Sequence, residues 1–417
     1  MVKNLLVIFL LMKSAFAGKM LIPMDGTQSN HLKAYGIAFL SVASAQNVEW
    51  LLNYRGGSFL LNDSPVFQRE ATRRGVVYEL ISENQANTIY LEIDQNNMEK
   101  VLLEKEPRVA VYTPPNKQPW DDAVTMVLSY AEIPYKNIYD KEVLDGTLNK
   151  IDWIHLHHED FTGQNSKFYR AFRHAPWYIQ QSVTYQKLAD ELGFPNNPVL
   201  KKAVVLALRN YVENGGFLFA MCSACNTLDI ALSAVKTDVV GEVFDNTPVA
   251  SDYSSKIDYS LCFAFTDFKI DTDPYSSSHG NIDYNQVNAG TLKRRPPNDF
   301  YLFDFSPKYD PVPAMLTQNH SNYIKGFYGL ATSFRKANLK KAITILGEVD
   351  GQPALRYIHG NLGEGQFVYY GGHDPEDVSH AVGDPPTDLN LHKNSPGYRL
   401  ILNNVLYPAA RKKKRKT

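Results

Sequence analysis

The most reactive candidate residue in this sequence is Cys222. It follows an apolar segment, residues 217–221, and precedes a helical pattern, with Ala220 and Ala224 two positions away on each side. A tight turn from a strand into a helix tolerates only small flanking residues and exposes the residue at its apex, as in a nucleophile elbow. A helix N-terminus behind a thiol also lowers its pKa. The pattern therefore predicts that Cys222 is a nucleophile, with a buried structural cysteine as the alternative.

A nucleophilic thiol needs a base, and His373 fits that role. It comes after the apolar segment 366–370 and is followed by Asp374 and Glu376, either of which could orient its imidazole. Catalytic groups of open α/β sheets lie at the carboxyl ends of strands, and both Cys222 and His373 come after a predicted strand. The sequence therefore predicts a Cys222–His373 pair with Asp374 or Glu376 behind the histidine.

Cys222 and Cys225 also form a C-x-x-C motif, which in an exported protein is typical of a redox pair or a disulfide. Thioredoxin-like proteins usually carry that motif after the first strands of a short domain, whereas here it comes after residue 220. Redox chemistry is therefore an alternative rather than the preferred interpretation. Cys262 lies in an apolar run and is predicted to be a core residue.

A second polar cluster follows the predicted strand at 151–156, and its candidate metal ligands are His155, His157 and His158. Catalytic zinc needs three protein ligands and one open position. Adjacent residues of an extended segment point in opposite directions, so one segment rarely supplies all three ligands. A metal site is therefore not the preferred interpretation, and the preferred thiol chemistry requires no cofactor. Zinc and a polar pocket without chemistry stay open as alternatives.

The elements that must position these residues alternate between strand and helix. Strand character is predicted at 48–52, 76–81, 108–112, 151–156 and 217–221, with helical patterns between most of them. Such alternation predicts an α/β fold with a mostly parallel sheet flanked by helices. Helical periodicity fades between about residues 236 and 341, which predicts a loop- and strand-rich insertion.

The N-terminus has the pattern of a signal peptide. Lys3 provides the positive charge, and residues 5–12 are apolar. Ala15 and Ala17 then form the small-x-small pattern that a signal peptidase accepts. We therefore expect export to the periplasm or the extracellular space, with cleavage after Ala17. The expected organisation is a signal peptide at 1–17, an N-terminal α/β region at 18–106, a main α/β domain at 107–410 and a basic tail at 411–417.

The composition excludes several classes of protein. The 417 residues include 43 Lys and Arg against 44 Asp and Glu, for a formal net charge of -1. A general nucleic-acid binder normally carries a basic excess, so we expect no nucleic-acid partner. No apolar run approaches the roughly 20 residues that a bilayer span requires, so we expect no transmembrane segment. Three cysteines are too few for a disulfide scaffold.

Several long strings resemble a family of exported Bacteroidota proteins that is commonly labelled asparagine synthetase B. They are residues 22–25, 30–36, 48–57, 157–163, 371–377 and 395–408. The resemblance implies a class I glutamine amidotransferase-like, flavodoxin-like fold for residues 107–410. It also implies that Cys222 is the nucleophile, that His373 is its base and that the loop after 151–156 completes an oxyanion hole. The implied pocket residues are Ser223, His157, His158, Glu159, Asp160 and Gly163.

Asparagine synthetase activity itself is not expected. The mature chain would begin at Gly18 rather than at a nucleophilic cysteine, and no Ser-Gly-Gly-x-Asp-Ser loop for ATP occurs. The preferred hypothesis is an exported Cys/His hydrolase that acts on an amide or an ester of a small molecule. The alternatives are a non-catalytic domain that binds a small molecule or a glycan, and a metal-dependent hydrolase.

Overall fold

The structure is a computed structural model that describes residues 18–116, 118, 120–284, 299–311, 313–377 and 382–411. The predicted signal peptide at 1–17 and residues 412–417 of the predicted basic tail lie outside these ranges. The helices are α1 His31–Ala43, α2 Pro65–Arg74, α3 Glu83–Gln95, α4 Ala123–Ala131, α5 Asp140–Leu144, α6 Tyr169–Phe172, α7 Pro176–Glu191, α8 Asn197–Glu213, α9 Ala224–Ser233, α10 Glu242–Asp245, α11 Tyr253–Lys256, α12 Pro313–Leu316 and α13 Pro396–Leu406. The strands are β1 Lys19–Ile22, β2 Val48–Leu52, β3 Ser58–Asn62, β4 Glu79–Ile81, β5 Glu99–Leu103, β6 Val109–Tyr112, β7 Lys136–Ile138, β8 Trp153–Leu156, β9 Phe217–Met221, β10 Phe300–Leu302, β11 Tyr323–Ile324, β12 Phe334–Arg335, β13 Thr344–Val349, β14 Ala354–Leu362 and β15 Gly365–Tyr370.

The larger of two sheets, here called the main sheet, has the strand order β11-β10-β13-β14-β15-β9-β8-β6-β7, with β12 paired to β14. Its parallel half consists of β15, β9, β8, β6 and β7. In its antiparallel half, β10 to β15 pair in opposite directions. Among the described residues the main sheet therefore has five antiparallel pairings and four parallel ones. The prediction of a mostly parallel, flavodoxin-like sheet is wrong.

The N-terminal sheet departs further from the predicted alternation. Its order is β4-β1-β3-β2-β5, and each of its pairings among the described residues is antiparallel. A parallel connection needs a crossover of a dozen or more residues. The link between β2 and β3 spans only residues 53–57, where Gly56 and Gly57 adopt φ of 77° and 86°. So short a link produces a hairpin, which is the physical reason for the antiparallel pairing of β2 with β3.

The core lies in layers around these sheets. Helices α1, α4 and α13 pack between the N-terminal sheet and one face of the main sheet, where Trp50, Trp153 and Tyr398 are fully buried. The opposite face of the parallel half is covered by α8 and α9, through side chains such as Leu208 and Leu228. A smaller cluster joins α3 to the outer face of the N-terminal sheet. Burial on both faces gives the strands of the parallel half their continuous apolar character.

The segment predicted as an insertion, residues 236–341, contains only short helices and strands among its described residues. Its strands β10, β11 and β12 nevertheless join the antiparallel half of the main sheet. This segment therefore extends the sheet instead of forming a separate module. In the described ranges, every helix is too short or too polar to cross a membrane.

Candidate functional site

Four neighbouring strands of the parallel half end at one edge of the main sheet. The strands β6, β8, β9 and β15 lie side by side and run in the same direction. The loops that follow them therefore meet above that edge, as in other open α/β sheets. These loops contribute Asp122, His157, His158, Cys222 and His373. Side chains from distant parts of the sequence are collected in this way.

Three imidazole rings pack against one another at this edge. The ring centroids of His157 and His158 lie 3.5 Å apart, and the centroid of His373 lies 4.3 Å from the first and 4.5 Å from the second. The three residues offer ligand nitrogens that lie within 4.8 Å of one another. The expected opposition of His157 and His158 does not occur, because β8 ends at Leu156 and the chain bends at His158. Adjacent histidines can therefore share a site.

Asp122 joins this cluster as a residue that the sequence did not predict to be part of the site. Its Oδ2 lies 3.0 Å from His157 Nδ1 and 3.6 Å from His155 Nε2. Its Oδ1 accepts the N–H of Thr125 at 2.8 Å, so Asp122 also caps the N-terminus of α4. Burial by itself would raise the pKa of Asp122, but the imidazoles of His157 and His155 hold this pKa well below its ordinary value. The available signal was an aspartate that follows a predicted strand and precedes a helix.

His155 lies within β8, two residues before His157, and is fully buried. Its Nδ1 lies 3.2 Å from the carbonyl oxygen of Phe219, so the tautomer that donates from Nδ1 leaves Nε2 facing Asp122. Asp122, His155 and His157 form a second group of ligand atoms within 4.8 Å of one another. His157 belongs to both groups and is therefore the centre of the cluster.

Cys222 occupies the turn between β9 and α9 with a φ of 52°, in the left-handed region. Its side chain is 1% exposed, and its Sγ accepts the N–H of Leu330 at 3.3 Å. Burial raises the pKa of the Cys222 thiol to about 11, although the N–H groups of Leu330, Ser223 and Ala331 favour the thiolate. The turn has the backbone shape of a nucleophile elbow, but burial disfavours the thiolate form of the thiol in it.

The cysteines of the C-x-x-C motif face different neighbours. Cys225 Sγ donates to the carbonyl of Ala220 at 3.3 Å, and the structure shows Cys222, Cys225 and Cys262 as free, buried thiols. A disulfide between Cys222 and Cys225 is therefore absent here. Cys262 packs in the core, in agreement with the sequence.

His373 stays a predicted base for Cys222. The backbones of the two loops are in contact, because the N–H of Cys222 donates to the carbonyl of Gly372 at 3.0 Å. The two carboxylates proposed to orient His373 have other partners in the structure. Glu376 pairs with His392, with Oε2 and Nδ1 3.1 Å apart. Asp374 is fully buried, and its Oδ1 accepts the N–H of Glu376 at 2.9 Å.

The remaining predicted pocket residues support the loop from within. Glu159 accepts from Tyr139 at 3.2 Å, and burial raises the pKa of Glu159 to about 7. Asp160 accepts the N–H of Ser166 at 2.9 Å and lies 2.8 Å from the Nε2 of His279. A Cβ at Gly163, whose φ is 80°, would lie 2.7 Å from Pro198 Cα, so only glycine fits there. These contacts hold the loop after β8 in place.

Solvent reaches the cluster over His158 and Asp122, whose side chains are 14% and 18% exposed. The ring of Trp120 lies beside that opening, 5.7 Å from the ring of His158. A cavity of about 1160 Å³ lies at the opposite edge of the parallel half, lined by residues that include Gly216 and Tyr407. The cavity and the histidine cluster are therefore separate features.

The comparisons with known proteins leave the family of this chain open. No family model matches the sequence, and no curated protein matches it. Two solved structures of cytoplasmic proteins from Salmonella typhimurium are 12% identical with TM-scores of 0.36, over 73% of this chain and 100% of theirs. A GH42 β-galactosidase aligns with 11% identity and a TM-score of 0.30, over 65% of this chain and 28% of its own. Similarity at this level transfers neither a fold nor an activity.

Proposed function

We propose that the protein is a hydrolase that uses a divalent metal ion of the zinc type, bound by His157, His158 and His373. The observation that carries this proposal is the convergence of the three rings, from two separate loops, with ligand nitrogens within 4.8 Å of one another. Imidazole nitrogens suit zinc and related ions, and three protein ligands leave one position for water. The carboxyl edge of the parallel half is also where open α/β sheets bind ligands.

Asp122 supports this site electrostatically and geometrically. A metal-bound histidine almost always donates its other N–H to a carboxylate or a carbonyl, which fixes the tautomer of the ring. The carboxylate of Asp122, 3.0 Å from His157 Nδ1, is placed for that role and leaves Nε2 for the metal. Its negative charge also offsets the charge of a bound cation.

A metal ion held by these three residues would supply Lewis acidity and would activate water for hydrolysis. The chain itself holds the three nitrogens, keeps bulk water away from the buried His157 and His373, and leaves an opening beside His158. Hydrolysis of an amide or an ester of a small molecule is the reaction that such a centre supports.

The first test of this proposal is the metal content of purified protein, measured by mass spectrometry after loading with Zn²⁺ and dialysis. We expect about one equivalent of zinc per chain in the wild type and the same amount in His174→Ala, a variant at an exposed histidine. His157→Ala is expected to lose the metal. Failure of the wild type to retain zinc, cobalt or manganese would contradict the proposal.

A second candidate function is hydrolysis by the Cys222 thiol, and one observation favours it. The left-handed φ of 52° at Cys222 is the backbone geometry of a nucleophile elbow. The metal-dependent hydrolase is preferred because a buried thiol with a pKa of about 11 is a weak nucleophile near neutral pH.

One assay separates the two functions. With p-nitrophenyl acetate as the probe, a metal-dependent hydrolase loses activity in 1,10-phenanthroline and keeps it after treatment with iodoacetamide. A thiol hydrolase gives the reverse result.

A further inference from the structure

The first turn of α9 contacts the loop that supplies two of the proposed metal ligands. The N–H of Ala224 donates to the carbonyl of His157 at 3.0 Å, and the hydroxyl of Ser223 donates to the carbonyl of His158 at 2.5 Å. Both contacts are with the backbone of ligand residues. The position of each histidine Cα therefore depends on this turn.

Thr227, one turn further along α9, continues the contact. Its Oγ1 accepts the N–H of Phe161 at 3.2 Å, and its own proton lies between the carbonyls of Ser223, at 2.7 Å, and Glu159, at 3.2 Å. The carbonyls of residues 157, 158 and 159 are thus each in contact with α9. Three successive residues held in this way leave little freedom for the loop after β8.

The same turn also contacts the loop that supplies the third proposed ligand, His373. The N–H of Cys222 donates to the carbonyl of Gly372, directly before His373. Gly372 has a φ of 106°, and a Cβ there would lie 2.3 Å from the ring of Phe327, so the position before His373 requires glycine. The turn at Cys222 therefore joins the two loops between which the metal would bind.

The side chain of Ser223 does not make the hydrogen bond that is usual for a serine at its position. It occupies the N-cap position of α9, where a serine ordinarily accepts an N–H of its own helix. Ser223 makes no such capping bond, and its side chain, 1% exposed, donates to His158 instead.

We propose that Ser223 is a positioning residue that aims His158 at the metal, an inference that rests on the proposed metal centre. The hydroxyl fixes the backbone of His158, and the ring follows because its rotamer is set by packing against His157. Removal of the hydroxyl costs no capping bond in α9, so its main effect falls on the ligand. The turn at Cys222 then holds the two loops of the metal site in position.

The test is a titration with Co²⁺, followed by the visible absorption of the bound ion. We expect Ser223→Ala to bind Co²⁺ about 10- to 100-fold more weakly than the wild type. This is the range typical of losing a residue that hydrogen-bonds to a metal ligand. Ser223→Thr, which keeps a hydroxyl, is expected to restore the affinity and the absorption spectrum. The matched control is Ser233→Ala in the same helix, where a fully buried hydroxyl donates to Ile230 at 2.8 Å.

The outcomes separate this inference from the metal proposal itself. Wild-type protein that binds no Co²⁺ removes the metal centre and the positioning role together, before any variant is measured. A wild type that binds while Ser223→Ala binds equally well overturns only the role of Ser223. Equal weakening in Ser223→Ala and Ser233→Ala also overturns it, because the cause is then general stability. If Ser223→Ala does not fold, Ser223→Gly carries the same expectation, since glycine is accepted at an N-cap.

Discussion

In the parallel half of the main sheet the strands β15, β9, β8 and β6 end at one edge, whereas the strands of the antiparallel half end alternately at both edges. Two links within the antiparallel half, residues 350–353 and 363–364, are short turns. The loops of the parallel half lie side by side and carry Asp122, His157 and His373. The parallel arrangement therefore brings side chains from several loops to one edge of the sheet.

The antiparallel half therefore contributes mainly to stability, whereas the edge of the parallel half carries the candidate chemistry. The antiparallel half contributes buried apolar side chains, such as Leu346 and Leu355. The parallel half contributes the buried polar cluster, which needs support from charged and hydrogen-bonded neighbours. Substitutions in the first region are expected to change the free energy of unfolding, and substitutions at the edge of the second are expected to change metal binding.

The largest expected effect is on metal affinity in His373→Ala. This variant removes the ligand contributed by the second loop, so zinc affinity should fall by more than the ~100-fold typical of an outer partner. Competition with a chelator of known affinity measures the change. The control is His359→Ala in the antiparallel half, where the buried ring contacts Gln366 Oε1 at 3.1 Å. Equal losses in both variants would remove the distinction between the two halves.

Lys201→Met should cause the largest loss of stability in the parallel half. The buried Lys201 Nζ lies 3.0 Å from Asp140 Oδ1 and 2.8 Å from Tyr112 Oη. Loss of one partner of a buried ion pair leaves the other charge unpaired and costs about 3–5 kcal/mol. Urea unfolding measures the change, with Lys202→Met as the matched control, since its Nζ bonds only the carbonyl of Thr237 among the described partners. A loss of similar size in the control would show that Asp140 is not the cause.

Leu346→Ala tests the antiparallel half. Leu346 is fully buried in β13, and truncation of a buried leucine costs about 2–5 kcal/mol through the cavity it leaves. Thermal or urea unfolding should show this loss, while the zinc affinity of the folded protein stays at the wild-type value. Leu206→Ala, at a 43% exposed leucine of α8, should change stability by less than about 0.5 kcal/mol. A fall in zinc affinity in Leu346→Ala would contradict the separation.

The smallest effect concerns the ion pair of Asp25 and Arg55, whose Oδ2 and Nε lie 2.7 Å apart beside the N-terminal sheet. Burial opposes ionisation of Asp25, but bonds from Thr27 and Arg55 lower its pKa to about 2. The folded pKa is thus below the unfolded value of about 3.9, so the stabilisation is present above pH ~4 and disappears as the pH falls towards 2. Partial exposure limits it to less than about 1 kcal/mol. Urea unfolding of Asp25→Asn should differ from that of the wild type at pH 6 and match it near pH 2; a constant difference would exclude the pair as the cause.

The local features of the fold could be predicted from the sequence. The predicted strands at 48–52 and 217–221 coincide with β2 and β9, because apolar runs bounded by turn residues specify strands locally. The direction of pairing was predicted wrongly, although the sequence held a relevant signal. Glycine turns as short as residues 363–364 leave no room for a crossover and therefore require hairpins.

The candidate site divides in the same way. The histidines at 155, 157, 158 and 373 could be identified from the sequence because their residue types and positions after apolar strands are local properties. Their convergence could not, and neither could the contact of Asp122 with His157 or the direction of the Ser223 hydroxyl. These contacts join residues far apart in the chain, and they depend on the order β15-β9-β8-β6, which no local pattern specifies. The sequence thus determined the donors and the strands that carry them, whereas the tertiary structure decided which donors share one site, because strand order alone brings their loops to the same edge.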